Sequence, residues 1–225
     1  MNIDTHDLLN SIMKSFDTLQ YIHPEDIPDI DLYMDQVTTF MEQRLRSTAR
    51  NPEDDKILTK TMINNYAKNK LIPSPEKKKY TSEHMLLLIF IYYFKGIMSI
   101  NDIQTLMGPL TEKYFDGEGG SKLADIYEEI VRLEMGEMDQ TKKDVIRKFH
   151  AAGKTFENAE GENQELLQLF SFICELSFDV YLKKLLIEKM IDDMKKIQEK
   201  DQPRPAEKDK LKKKNVSKDN GKVVE

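Results

Sequence analysis

Residues 59–107 read TKTMINNYAKNKLIPSPEKKKYTSEHMLLLIFIYYFKGIMSINDIQTLM, and this stretch decides how the chain is to be understood. It opens on a predicted short helix over residues 60–69: Thr59 is a good N-cap, and Ile63, Tyr66 and Ala67 share one side at helical spacing. Leu71, Ile72, Pro73, Ser74 and Pro75 end it, because proline lacks an amide hydrogen and pushes the preceding residue out of helical geometry. Glu76, Lys77, Lys78, Lys79 and Tyr80 then sit where a small hairpin can turn. Thr81 or Ser82 caps a second helix over residues 83–95, which carries the apolar run of residues 85–94 and stops at Gly96. Ser99 starts a third helix with Asp102 at the reciprocal position of a capping box; Ile100, Ile103, Leu106 and Met107 form its stripe, and Gly108 and Pro109 mark its end.

Upstream, Leu8, Leu9, Ile12, Met13, Phe16 and Leu19 predict an amphipathic helix over residues 5–20, broken by Pro24 and Pro28. Asp31 caps a second helix whose inner face is Leu32, Tyr33, Val37, Phe40, Met41 and Leu45, ending near Arg46. A polar loop over residues 47–57 follows, with the acidic cluster Glu53, Asp54 and Asp55. Downstream, a flexible link at residues 116–120 leads to a helical stretch through Leu123, Ile126, Tyr127, Ile130 and Val131, with a break expected near Gly136 before Val145, Ile146 and Phe149. After a polar loop at residues 158–163, the last helix repeats apolar residues at Leu166, Leu169, Ile173, Leu176, Val180, Ile187, Met190, Met194 and Ile197, interrupted by Lys183. That seam suits antiparallel helix packing or a homodimer seam, and extra apolar positions favour a helical bundle over a strict two-stranded coil. Residues 201–225 hold too little apolar material to fold and read as a disordered basic tail.

At 225 residues the chain is long enough for one domain and an appendage. Its single cysteine, Cys174, forms no disulfide within the chain and builds no thiolate cage, which fits a reducing compartment; its place on the last helix's apolar face suggests a buried thiol. Nine glycines and no tryptophan point to helices. The longest apolar run is too short to span a bilayer, and no basic segment precedes an apolar one at the start, so a cytoplasmic location and no membrane contact are expected. No dinucleotide or phosphate-loop glycine pattern is present, nor a paired-histidine metalloprotease motif. His6, His23, His84 and His150 lie far apart in sequence, without carboxylate or cysteine at ligand spacing, so they read as surface or packing residues. No enzyme, metal or cofactor is indicated.

The net charge of −6 conceals its distribution. Residues 1–58 carry −7, residues 81–200 another −7 and residues 201–225 carry +3, whereas residues 59–80 carry +5 from six lysines and Glu76. A local basic segment in an acidic chain is the footprint of a polyanion contact; its bland counterpart is a solvated lysine-rich turn.

Taken in order, Tyr66 with the exit Leu71, Ile72 and Pro73, the segment Lys77 to Tyr80, the helix behind it, and Gly96 followed by Ser99, Ile100, Asp102, Ile103 and Leu106 resemble the winged helix-turn-helix domain of the MerR family of bacterial transcription regulators. The resemblance covers about a fifth of the chain. It departs from the family at Asn64 and Asn65, where an Arg and a Tyr are usual, and at Lys70, where a glycine is usual. The wing lacks an arginine beside its tyrosine, the loop between the first two helices is longer, and the C-terminal half has no metal-sensing cysteine loop. The whole pattern also resembles a little-characterised family of bacterial proteins with a MerR-like head and a helical remainder.

The resemblance implies a mainly α protein in which a winged helix-turn-helix domain with a small hairpin wing is followed by a helical bundle or coiled-coil-like domain and a disordered tail. The expected divisions are residues 1–30, an amphipathic helix and linker; 31–108, the DNA-binding domain; 109–200, a dimerisation or regulatory domain; and 201–225, the tail. The expected function is a sequence-specific double-stranded DNA-binding transcriptional regulator acting as a homodimer, with any small-molecule effector unassigned. Asparagine suits adenine in the major groove, so Lys60, Thr61, Asn64, Asn65 and Lys68 are candidate contacts on the exposed side of the short helix. Thr59 stands at its anion-attracting N-terminus, while Lys70, Lys77, Lys78, Lys79 and Tyr80 are candidate backbone contacts at the helix exit and wing. The main alternative is a helical adaptor in which the same surface binds a protein.

Overall fold

The computed structural model describes residues 5–17, 21–115, 120–159 and 161–201. In chain order the elements are α1 (Thr5–Asp17), a 3-10 turn (Pro24–Asp26), β1 (Leu32–Tyr33), α2 (Met34–Leu45), a second 3-10 turn (Arg46–Thr48), α3 (Lys60–Lys68), β2 (Lys79–Tyr80), α4 (Ser82–Phe94), α5 (Ile100–Tyr114), α6 (Leu123–Ala152) and α7 (Glu162–Asp201). The protein is mainly helical, with one antiparallel pair formed by β1 and β2.

The head is assembled around α4. Every residue from His84 to Ile91 is buried, so this helix has no face to give to water over more than two turns. Such a helix is stable only if covered on all sides. The core it shares is completed by Val37, Met41 and Leu45 of α2, Ile63 and Tyr66 of α3, Ile103 and Met107 of α5, and Leu123, Tyr127 and Val131 at the start of α6. Phe90 meets Tyr127 edge-on at 5.1 Å. This core runs from Ile22 to Val131 and so passes through the division expected at residue 108. A second, smaller core joins Val145 and Ala152 of α6 to Phe172 of α7, with Ile12, Met13 and Phe16 of α1 packed against it. The segment expected as a separate N-terminal unit is thus shared: α1 serves the second core, Ile22 and Ile27 the first.

Several local expectations are corrected. The second helix begins at Met34, not after Asp31, because Leu32 and Tyr33 are drawn into pairing with Tyr80 and Lys79. Tyr33 accordingly faces solvent. α5 does not end at Gly108 and Pro109 but continues to Tyr114. Pro109 removes the amide that would bond the carbonyl of Thr105 four residues earlier, and the Gln198 side chain of α7 donates to that carbonyl instead, at 3.0 Å. α6 passes through Gly136 unbroken, since a lone glycine on an exposed helical surface costs only about 1 kcal/mol. Cys174 is exposed, not buried. Leu19, most of the link at residues 116–120 and the tail beyond residue 201 lie outside the described residues. Among the described residues no helix is long and apolar enough to cross a membrane.

α6 and α7 are joined by a charged clasp. Lys148 is buried, and its ammonium donates to Asp144 on its own helix and to Asp179 of α7 at 2.9 Å; Asp179 also receives Lys183 at 3.2 Å. Hydrogen bonds from Lys148, then from Arg147 or Lys183, hold both carboxyls below the usual range, and the same bonds raise Lys148. A carboxyl with a lowered folded pKa stabilises the fold at every pH above its unfolded value and loses that contribution as pH falls through the folded one. The protection factors of the α6 and α7 amides, each exchange rate taken relative to the unstructured rate at the same pH, should therefore fall as the pH drops below about 4, and Asp179→Asn should remove much of that acid sensitivity. Protection factors that stay flat on acidification would show that the clasp contributes nothing.

Candidate nucleic-acid interface

α3 is set by its two ends. Thr59 Oγ1 accepts the Met62 amide at 3.2 Å, closing the N-terminus as the cap pattern predicts. At the other end the Leu71 amide bonds the Tyr66 carbonyl at 2.9 Å and the Lys70 amide bonds that of Ala67 at 3.1 Å. This is a Schellman closure, which requires a left-handed residue after the C-cap. Lys70 occupies that place with φ 57°. Ile63 and Tyr66 are buried, and the opposite arc presents Lys60, Thr61, Asn64, Asn65 and Lys68 to solvent, as helical spacing dictates.

The hairpin is equally specific. The Lys79 amide bonds the Glu76 carbonyl at 2.8 Å across a two-residue tip, and Lys77 and Lys78 both take positive φ, 48° and 66°. That is the backbone of a primed hairpin turn, for which Asn and Gly are the favoured residues. β2 follows and pairs with β1, Leu32 opposite Tyr80 and Tyr33 opposite Lys79. Lys77 and Lys78 are exposed, and Lys79 is half-buried with its ammonium 5.6 Å from the Tyr33 ring centre. Tyr80, expected beside the lysines as a surface contact, is buried in the head core, because strand alternation turns it inward when Lys79 faces outward.

Two residues at the start of α2 bring helix and hairpin to one place. Tyr33 receives Lys79, and Asp35 forms an ion pair with Lys60 at the start of α3. Both partners of the ion pair are more than half exposed, so it contributes at most about 1 kcal/mol and does not lock Lys60 away. His84 fixes the base of the hairpin. Its Nδ1 accepts the Thr81 amide at 3.1 Å and its Nε2 lies 3.2 Å from the Pro73 carbonyl, which tie the chain entering the hairpin to the chain leaving it. With Nδ1 as acceptor, Nε2–H is the donor. The ring lies edge-on between Tyr80 and Phe115, with centroids 5.5 and 4.7 Å away. Reading the histidines as packing residues missed this clamp. The available signal was a histidine three residues after the cap Thr81, a position that reaches back to the cap amide.

The long loop between α2 and α3 is held rather than loose. Arg46 donates to the carbonyls of Pro52 and Asp55, the latter at 2.6 Å. Lys95 donates to the Ile57 carbonyl at 2.7 Å, and Thr48 and Tyr92 share a hydrogen bond of 2.6 Å. Burial of Lys95 lowers its pKa. Ile57 and Leu58 are buried, so the loop delivers α3 to a fixed position. Among the described residues no group of three or more His, Cys, Asp or Glu side chains is placed to hold a metal ion.

A family model described as "Domain of unknown function (DUF1836)" matches residues 22–130, just under half the chain. The matched segment coincides with the head core, which starts at Ile22 and ends at Val131. No curated protein and no solved structure matches the chain.

Two outcomes follow from these contacts. Lys70→Gly should stabilise the protein by about 0.5–1 kcal/mol in a denaturant titration, because the left-handed penalty disappears, partly offset by glycine's larger unfolded freedom. His84→Leu should destabilise it by about 2 kcal/mol, since the Thr81 amide and Pro73 carbonyl each lose a partner while the ring's volume is largely kept.

Proposed function

We propose that the head is a winged helix-turn-helix which binds double-stranded DNA, with α3 in the major groove, the Lys77 and Lys78 turn on the phosphate backbone, and the chain acting as a dimeric, cytoplasmic transcription regulator. One observation carries the reading. Among the described residues four non-glycine residues have positive φ, and three of them, Lys70, Lys77 and Lys78, are lysines of the basic segment at residues 59–80. Each left-handed lysine costs about 1 kcal/mol against glycine. Charge is what lysine supplies there that Gly or Asn does not, and backbone strain of this kind collects where function requires a particular side chain.

In this reading Asn64 and Asn65 face base edges, where an asparagine pairs donor and acceptor with adenine. Lys68, Lys70, Lys77 and Lys78 lie along phosphates and confer affinity without sequence information. Lys60 joins them by exchanging Asp35 for a phosphate. Thr59 acts through the helix end it caps, and Tyr80 acts only through the core. A two-fold dimer would read a pseudo-palindrome.

The test is a duplex titration at two salt concentrations with two classes of variant. Lys77→Asn combined with Lys78→Gly should raise stability by about 1 kcal/mol or more while weakening binding to every sequence and flattening the salt slope by about 2. Asn64→Ala or Asn65→Ala should instead change sequence preference by about 1–3 kcal/mol at one position of the site. Duplex binding that is undetectable at low salt would overturn the proposal, and salt-independent capture of a protein by the same face would favour the adaptor reading.

A further inference from the structure

α7 is apolar on two opposite sides along its first half. The seam expected from its spacing divides in the fold: Leu169 and Leu176 turn toward α6, half-buried, whereas Leu166, Ile173 and Val180 stand in solvent. Leu166, Phe170, Ile173, Phe178, Tyr181 and Leu185 lie within one broad face at 100° per residue, and each is between 46% and 62% exposed. Residues 166–185 contain four charged side chains, Glu175, Asp179, Lys183 and Lys184. Glu175, Asp179 and Lys183 fall on the other side of the helix, where Asp179 takes part in the Lys148 clasp, and Lys184 lies near the end of the strip in line with Leu166. At roughly 100 Å² apiece the six residues expose about 600 Å² in one continuous strip, the upper end of what a monomer tolerates.

We infer that a second copy of the chain covers this face, the two α7 helices pairing antiparallel about a two-fold axis between Glu175 and Leu176. The apolar pattern itself carries this assignment, because it reads nearly the same in both directions. Reflected about that point, Leu166 meets Leu185 of the other copy, Phe170 meets Tyr181 and Ile173 meets Phe178, each large apolar residue opposite another. The small Cys174 and Ser177 fall opposite one another beside the axis, where two helices cross most closely. Self-complementarity of this kind is what an isologous dimer requires and what an unrelated partner does not. Two such strips bury about 1,200 Å² together, the lower bound of a stable specific interface. A parallel pair would instead set Phe170 against itself at one end and Tyr181 against itself at the other. It would also lay the Lys184 pair side by side, which the antiparallel register avoids by placing Lys184 opposite Leu167.

The assignment does not depend on DNA binding and is tested without DNA. The full chain should sediment at twice its 26.3 kDa mass at micromolar concentration. Phe170→Glu with Tyr181→Glu should convert it to a monomer with unchanged helical circular dichroism, since both side chains are already exposed in the single chain. On the paired helices the two Cys174 residues are about 4.5 Å apart along the axis, so a short bismaleimide should link two wild-type chains and fail to link Cys174→Ser. The direction is read by mixing two Cys174→Ser chains, one carrying Leu166→Cys and the other Leu185→Cys. Antiparallel pairing yields the mixed disulfide, and parallel pairing yields the two homodisulfides. A monomeric wild type, a dimer that survives the double glutamate variant, or homodisulfides from the mixture would each overturn the inference.

Discussion

A helix without a polar side is the constraint on which the head depends. From His84 to Ile91 α4 has no position that can face water, so the chain must surround it. α2 and α3, the pair that holds the candidate interface, are two of its covering layers, and α6 is another. The surface presented by α3 is therefore fixed by its reverse: Ile63 and Tyr66 must point at the core, which leaves the arc from Lys60 to Lys68 outside. The hairpin is attached to the same helix through His84, whose two ring nitrogens hold both of its ends. Burial of one helix thus orients a helix face and a basic turn that are separated in sequence.

What could be read from the chain follows from the range of the interactions involved. The α3 cap at Thr59, the capping box of Ser99 and Asp102, and the exit after Asn69 depend on residues within five positions of one another, and they were legible. Most of the misreadings have distant causes. Asp31 looked like a helix cap until β2, nearly fifty residues later, claimed Leu32 and Tyr33 for a strand. Pro109 looked like a stop because its remedy, Gln198, is 93 positions from the Thr105 carbonyl it satisfies. Cys174 looked buried because the α7 repeat does not say which of its two apolar sides faces α6. Of the candidate interface, the helix residues and the lysines at the hairpin tip emerged on the surface as expected, while Tyr80 was lost to the core and the clamp at His84 went unseen.

The lysines at residues 70, 77 and 78 show the departures from a familiar pattern acquiring a physical meaning. A glycine is the expected residue where a Schellman closure turns left, and Lys70 stands there at φ 57°. The protein retains the full hydrogen-bond pattern of the closure and bears the steric penalty. The same holds at the hairpin tip, where the turn keeps its geometry with two side chains that disfavour it. A turn selected only to reverse the chain would have no reason to hold lysine at both of its left-handed positions.

The number of available cations then limits what one chain can do. Of the six lysines in residues 59–80, Lys79 lies over the Tyr33 ring and Lys60 must first leave Asp35, so four are available without exchanging a partner. Four phosphate contacts correspond to a salt slope of only about −4, and the acidic surroundings oppose non-specific adhesion. On the proposed α7 pairing the contacts double and the slope approaches −7. The geometry of that pair is also constrained, because Gln198 attaches the far end of α7 to α5 of the head. Two Gln198 residues related by an axis at the middle of residues 175 and 176 are about 45 residues of helix apart, or roughly 68 Å. That is close to two turns of duplex at about 34 Å each. If the head binds DNA as proposed, the length of α7 beyond what its packing on α6 requires would set the distance between two heads, each too sparsely charged to hold DNA tightly alone.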